Sequence, residues 1–435
     1  MKELLKKIVV KILIWEARIA LLRYRPFIIG ITGSVGKTSA KDAMYALMQP
    51  HFQVRKSQKS FNSEFGIPLT ILGLPNAWNN HFEWLANLIL GFKQAFFTKK
   101  YPKYLVLEIG ADSPGDIKSV TKWLKPRVAV ITRFPEVPVH IEFFNSKEEV
   151  IEEKSALAKA VGKDGLLILN RDDEKVYDLR KEAEKKGTTV LTFGEHEESD
   201  VRLVSFSYTY GENEGVLKPI GMSAIVSIKE NTYTFRLNGT VNKNHILAFL
   251  PGIAFLHNKN ISLDGLETIV ESFVPPPGRM TILSGVQKTT LLDDSYNASP
   301  IAVSSALETL RDLEVPTRKI AVLGDMMELG RFTEEEHRKI GSQAARAVDV
   351  LLTIGVRSRF THEEAMQQKK HAECVHVESI EKAISYLQEN ILPGDLILFK
   401  GSQSSRLEKV VKEFLVDKAK AHDLLARQDE EWEKR

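Results

Sequence analysis

Residues 32–39 read Thr32-Gly33-Ser34-Val35-Gly36-Lys37-Thr38-Ser39, and these residue types at this spacing suit the holding of phosphate groups. Glycines let backbone amides approach oxyanions, Lys37 neutralises the outer phosphates, and the Thr38 hydroxyl can ligate Mg²⁺. The strict G-x-x-x-x-G-K-T spacing would put glycine at 31, where this chain has Ile31; its glycine at 33 makes a T-G-x-x-G-K-T variant. A carboxylate, Glu108, closes the apolar run 104–107, at a strand end where a metal-binding acid is expected. Nothing in the chain looks like a covalent nucleophile. The only cysteine, Cys374, falls in an expected surface region between helices. One cysteine excludes an intramolecular disulfide and a Cys-rich metal site, and it suits a reducing compartment. Chemistry would therefore rest on positioning and charge stabilisation.

A phosphate loop needs a strand before it and a helix after it. Residues 27–31 are a short apolar run, and Ala43, Met44, Ala46 and Leu47 follow the loop at helical spacing. Apolar strands at 104–108 and 127–132, alternating with helical stretches such as 114–124, predict a parallel sheet with ligands at its C-terminal ends. The second half repeats the arrangement at 290–294, 320–325, 350–355 and 395–401. Between the halves, the alternating, β-branched stretches in 198–238 predict antiparallel strands at the end of the main sheet. The fold class expected is α/β: a phosphate-loop ATPase domain with a parallel sheet, then a second α/β domain.

Several stretches, in order from about residue 27 to 415, resemble the Mur ligase family of ATP-dependent amide-forming enzymes. The match is to the MurF type, which adds D-alanyl-D-alanine to a UDP-N-acetylmuramoyl-tripeptide. They are the loop itself, Phe61-Asn62, Glu108-Ile109-Gly110, His140-Ile141-Glu142, Glu153-Lys154 and Pro277-Gly278-Arg279. The most specific are the runs at 293–300 (Asp293-Asp294-Ser295-Tyr296-Asn297 onward), 322–330 and Lys400-Gly401-Ser402. The resemblance implies a Rossmann-like C-terminal domain, ATP, and two Mg²⁺ ions. It makes Thr38 and Glu108 ligands of one metal and His140 a ligand of the second. Lys154 matches a lysine carbamylated in many members, a change that turns a metal-repelling cation into a metal-binding anion. Lys37, Glu108, His140 and Lys154 would form the catalytic set. Asn242, Arg279, Asp294, Tyr296 and Asn297 would contact ATP, Asn62 the acceptor, and Lys400 and Ser402 the incoming amine.

Departures from the family pattern are expected to matter. The Asn-rich acceptor segment keeps only Asn62, the usual Thr-Asn pair is Thr132-Arg133, and Val241 and His245 replace a histidine and an asparagine around Asn242. The family also has an N-terminal uridine-nucleotide domain of about a hundred residues, and here 26 residues precede the first strand. Recognition of a UDP-linked acceptor by that module is therefore not expected.

Those 26 residues hold seven cations against two anions, a charge of +5, whereas the remaining 409 sum to −2. A body that is not basic argues against a nucleic-acid partner. Lys7, Lys11, Arg18 and Arg25 share one helical stripe, with Ile8, Ile12, Trp15, Ile19 and Leu22 elsewhere. The segment is too short and too charged to span a bilayer. It reads either as a helix lying in a membrane interface or as one packed on a protein surface, and an apolar patch from Trp84 to Phe97 could extend the same apolar surface or equally be core.

The expected domains are a basic helix (1–26), the ATPase domain (27–276), the C-terminal domain (277–416) and a charged, solvated tail (417–435). Function is expected to be ligation of an amino acid or dipeptide to a small peptide or glycopeptide precursor of the cell wall, in the cytoplasm. The alternatives are a ligase working on a lipid-linked precursor at the inner membrane face, and an ATP-binding partner without catalysis.

Overall fold

A computed structural model of the chain describes residues 2–58, 65–77, 80–134, 141–213, 215–368, 372–429 and 432. Asn62 and His140 lie outside the described residues. Two sheets organise the molecule. The first comprises β1 (Phe27–Thr32), β2 (Val54–Lys56), β3 (Tyr104–Glu108), β4 (Val128–Ile131), β5 (Leu166–Asn170) and β6 (Thr189–Gly194), all parallel. Its far side is extended by β7 (Val201–Asn213), β8 (Val216–Ile228) and β9 (Asn231–Asn238), which run antiparallel to one another. The strand order is β2-β3-β1-β4-β5-β6-β7-β8-β9. Strand β1 sits between β3 and β4 with helices on both faces, which is why 27–31 reads as unbroken apolar residues instead of alternating ones.

The second sheet comprises β10 (Thr281–Ser284), β11 (Thr290–Asp293), β12 (Lys319–Gly324), β13 (Val350–Ile354), β14 (Glu373–Val377) and β15 (Leu396–Lys400), in the order β10-β11-β15-β12-β13-β14. Only β10 is antiparallel to its neighbour. Cys374 belongs to β14 and is half-buried, so the expected surface region between helices is a strand instead.

Helix α1 (Lys2–Tyr24) packs on α3 (Gly66–Leu72) and α4 (His81–Phe97), while α2 (Lys37–Met48) follows the phosphate loop. Leu13, Ala17 and Ala20 of α1 are fully buried against the body. Ile8, Trp15 and Leu22 point outward, so α1 is apolar on two faces and docks by one of them. Glu16 lies in the interface, where a Cβ added to Gly91 of α4 would come within 2.1 Å of its Oε2. That oxygen has no hydrogen-bond partner among the described residues, and burial raises the Glu16 pKa to about 7. Between pH 4.5 and 7 the folded chain holds a proton that the unfolded chain has lost, so this site costs stability as pH rises. Glu16→Gln should stabilise the protein by roughly 1–3 kcal/mol above pH 7 and by little near pH 4.5, read from urea midpoints at the two pH values.

The tail is exposed over 417–420 but packed further on, against what its charge suggests. After a short turn and the helix Ala421–Leu424, residues Leu425 and Ala426 are buried. Arg427 forms an ion pair with Glu408 at 2.9 Å and donates to the carbonyls of Ser295 and Tyr296. A fully buried acid in another element gives Arg427 its partner, which local charge counting does not register.

Candidate active site

The phosphate loop leaves the C-terminal end of β1, and its shape is fixed by β4. Gly33 has φ +145°, and a Cβ there would meet Thr132 Oγ1 at 2.0 Å, so only glycine fits. The Thr132 hydroxyl lies 2.6 Å from the Val35 carbonyl and 3.2 Å from the Thr32 carbonyl, while Ser34 N–H donates to the Arg133 carbonyl at 2.8 Å. The change at 133 leaves that backbone bond in place. Gly36, at φ +84°, precedes α2, whose first turn carries Lys37, Thr38 and Ser39.

Strand register brings Glu108 beside the loop, since Ile31 pairs with Glu108. Thr38 Oγ1 donates to Glu108 Oε1 at 3.0 Å, and Lys41 Nζ lies 3.7 Å from Glu108 Oε2. That second oxygen is buried without a hydrogen bond among the described residues. A hydroxyl and a carboxylate with spare lone pairs at the mouth of a phosphate loop fit Mg²⁺, which takes few protein ligands and completes its shell with phosphate and water. The described residues contain no cluster of three or more His, Cys, Asp or Glu side chains placed for a metal.

Lys154 is buried in α5 (Lys147–Lys159), close enough to the loop to feel the charge of Lys37. Burial first, then the charge of Lys37, lower its pKa to about 7 against the pull of Asp112, Glu153 and Asp116. Lys37 is lowered too, by burial first, with Glu108 and Asp112 opposing and Arg279 adding to the fall. The neighbouring Glu153 is turned away, its Oε1 accepting from Ile117 N and Lys118 N at 2.7 and 2.9 Å. Asp112 is the acid that sequence reading passed over. It acts on both lysines, and its signal was a second carboxylate four residues beyond Glu108.

The second cluster hangs from the C-terminal sheet. Lys400, ending β15, is buried and donates to Asp294 Oδ2 at 2.6 Å and to the Asn297 carbonyl at 3.1 Å. Burial raises the Asp294 pKa despite Lys400 and Arg279 pulling it down. Ser402 Oγ accepts from Met327 N at 2.9 Å, and the Asn297 side chain accepts from Ala298 N. Breaking one side of a buried pair strands the other charge. Lys400→Met should therefore cost about 3–5 kcal/mol in urea unfolding, and adding Asp294→Leu should recover most of it.

Arg279 joins the two clusters. Its guanidinium lies over the Tyr296 ring at 4.1 Å, and its charge is felt by Lys37, Asp294 and His245. Asn242 caps the helix Lys243–Asn258, accepting from Asn244 N at 3.0 Å. Val241 is core, and His245 is buried against Thr240 with its pKa lowered to about 4 by burial and then by Arg279, so it is neutral. Both replacements are absorbed by packing.

A phosphate-binding sheet facing a second α/β sheet, with cations and a strand-end carboxylate converging at the seam, defines a nucleotide-dependent ligase. Residues 31–249 match the Mur ligase middle domain and residues 278–403 the Mur ligase, glutamate ligase domain. The chain belongs to the Mur ligase family, as an ATP-dependent peptide ligase. It is 27% identical over 390 residues to the UDP-N-acetylmuramoyl-tripeptide–D-alanyl-D-alanine ligase of Bacillus subtilis (strain 168), covering 89% of this chain and 76% of that one. The crystal structure of MurF ligase from Thermotoga maritima in complex with ADP matches with a TM-score of 0.74 and 26% identity, over 95% of this chain and 84% of that one. Folylpolyglutamate synthase of Mycobacterium tuberculosis shares the fold, with a TM-score of 0.62 at 16% identity over 90% and 93% of the two chains.

Proposed function

We propose that the chain joins an amino acid or a D-alanyl-D-alanine-like dipeptide to the carboxylate of a muramoyl-peptide-type acceptor, in cytoplasmic peptidoglycan precursor synthesis. The observation that carries this is the convergence of Lys37, Thr38 and Glu108 with Arg279, Asp294 and Lys400 across the seam between the two sheets. In this reading the loop amides of residues 33–36, with Lys37, Thr38 and Ser39, hold the β- and γ-phosphates of ATP, and Arg279, Asn242, Tyr296 and Asn297 line the nucleotide. The acceptor carboxylate attacks the γ-phosphorus, ADP departs, and an acyl phosphate forms. The amine then attacks the acyl carbon, and inorganic phosphate leaves with the electron pair as the amide forms.

Lys37 offsets the charge that builds on the transferred group. Lys400, its charge balanced by Asp294, and Ser402 border the amine's approach, and Asn62 is the residue assigned to the acceptor by the family resemblance. Thr38 and Glu108 would hold one Mg²⁺, and His140 with a carbamylated Lys154 would hold a second; these ions supply Lewis-acid charge at the phosphates. A Lys154 pKa near 7 supports the carbamate, because CO₂ reacts only with the neutral amine.

A second reading, a lipid-linked acceptor met at the inner membrane face, is favoured by the outward apolar residues of α1 and α4. ADP release measured against UDP-linked and lipid-linked muramoyl-peptides, each with D-alanyl-D-alanine, separates the two. Stimulation by no acceptor–amine pair would sink both and leave an ATP-binding partner without catalysis.

A further inference from the structure

We infer that α1 and α4 together form a docking face for an anionic lipid surface, most of it supplied by α4 and lying outside the basic N-terminal segment. The two helices are firmly joined to each other and to the body. Besides the buried Leu13, Ala17 and Ala20, the Tyr24 hydroxyl donates to the carbonyls of Gln94 and Thr98 at 3.1 and 2.9 Å. Arg23 donates to the Phe96 carbonyl, and Tyr24 stacks on Tyr101 with ring centroids 4.4 Å apart. A fixed pair of helices therefore presents a fixed outer face.

That face is apolar well beyond what a water-exposed surface normally carries. On α4, Phe82, Leu85, Ile89 and Phe92 recur at helical spacing on the side opposite the buried Asn87, Gly91 and Ala95. Phe82 is 86% exposed, Phe97 67% and Leu22 of α1 75%. The two rows are continuous, because Trp15 lies 6.0 Å from Phe96 and Phe96 lies 4.6 Å from Phe92 between ring centroids. No helix among the described residues is long and apolar enough to cross a membrane, so the geometry is that of helices lying in the surface plane.

Charge chooses the occupant. Lys7, Lys11 and Arg18 flank the apolar row on α1, and Lys93, Lys99 and Lys100 are exposed on and just after α4. Opposing them, Glu16 is buried, and Glu83 is held by Asn80 at 2.8 Å. A second copy of this chain would set these cations against one another. Anionic headgroups would neutralise them while the aromatic and aliphatic side chains enter the acyl boundary, with Trp15 at the interface. The face also reaches Phe65, the first described residue after the segment that holds Asn62 in the sequence. Phe65, directly after residues 59–64, packs on Trp84 at 5.6 Å and lies under Lys6 at 5.1 Å. The lipid-linked acceptor reading gains a membrane-held approach from this, and only that consequence rests on that reading.

The test is co-sedimentation of the full chain with phosphatidylcholine vesicles, with and without phosphatidylglycerol, across a salt series. Binding is expected to the anionic vesicles alone and to weaken as salt rises. Lys11→Glu/Arg18→Glu should weaken it about tenfold or more, and so should Phe82→Ser/Leu85→Ser. Circular dichroism and ADP release with a water-soluble acceptor should be unchanged in both variants. Failure to bind either vesicle, or equal binding to both that ignores the charge reversal, overturns the inference. So does a concentration-dependent dimer that Phe82→Ser/Leu85→Ser abolishes in a chain that ignores lipid. A ligase active on soluble acceptors but indifferent to vesicles would remove the docking face and leave the ligase reading standing.

Discussion

Lys37→Met is expected to lower acceptor-dependent ADP release by about 10³-fold while leaving the fold at least as stable as before. The two halves of that result come from one fact. The Lys37 ammonium is half-buried and repelled by Arg279, with Glu108, Asp112 and the Ser34 carbonyl at 3.5 Å favouring its charge. A methionine of similar length removes an ion that the folded state holds at a cost, so the urea midpoint should hold or rise. The same removal takes away the nearest positive charge to the outer phosphates, so the loss should fall on kcat rather than on nucleotide affinity alone. A variant retaining more than a tenth of kcat would remove Lys37 from the transfer step.

Withdrawal of CO₂ should also slow the enzyme, by less than the loss of Lys37. With a pKa of about 7, Lys154 is about half neutral amine at neutral pH, which an exposed lysine is not. Its lone pair can then attack CO₂, releasing one proton and leaving a carbamate anion in place of an ammonium. In CO₂-depleted buffer kcat should fall more than about tenfold and return with bicarbonate, and Lys154→Ala should lose about 10²-fold whatever the bicarbonate. The sign with pH follows: as pH drops through 7 the amine protonates, the carbamate is lost and turnover declines. A ¹³C carbamate resonance after exposure to ¹³CO₂, absent in Lys154→Arg, checks the chemistry directly. Full activity in CO₂-free buffer would refute it.

What could be read beforehand follows the range of the interactions concerned. The phosphate loop was legible because strand, glycines and helix are adjacent in sequence, and Glu108 because strand ends announce themselves. The antiparallel extension showed in its alternation. The pairing of Lys400 with Asp294 did not, since the two are brought together only when β11 and β15 align as neighbours. Arg279 as the link between clusters was equally hidden, because its influence on Lys37 and His245 depends on how the two sheets face each other. The two-sided character of α1 and the burial of Arg427 eluded pattern reading for a related reason. A charged residue looks solvated until the fold supplies a Glu408 or buries a Glu16 whose Oε2 meets no donor among the described residues.

The single hydroxyl proton of Thr132, just past the end of β4, ties down the Val35 carbonyl of the phosphate loop at 2.6 Å. The loop's entropy is therefore surrendered when the sheet assembles and not when nucleotide arrives. Capture can then proceed as a single collision, with a rate governed by diffusion and by the charges of Lys37 and Arg279. Slow steps of the cycle are left to the meeting of the two domains.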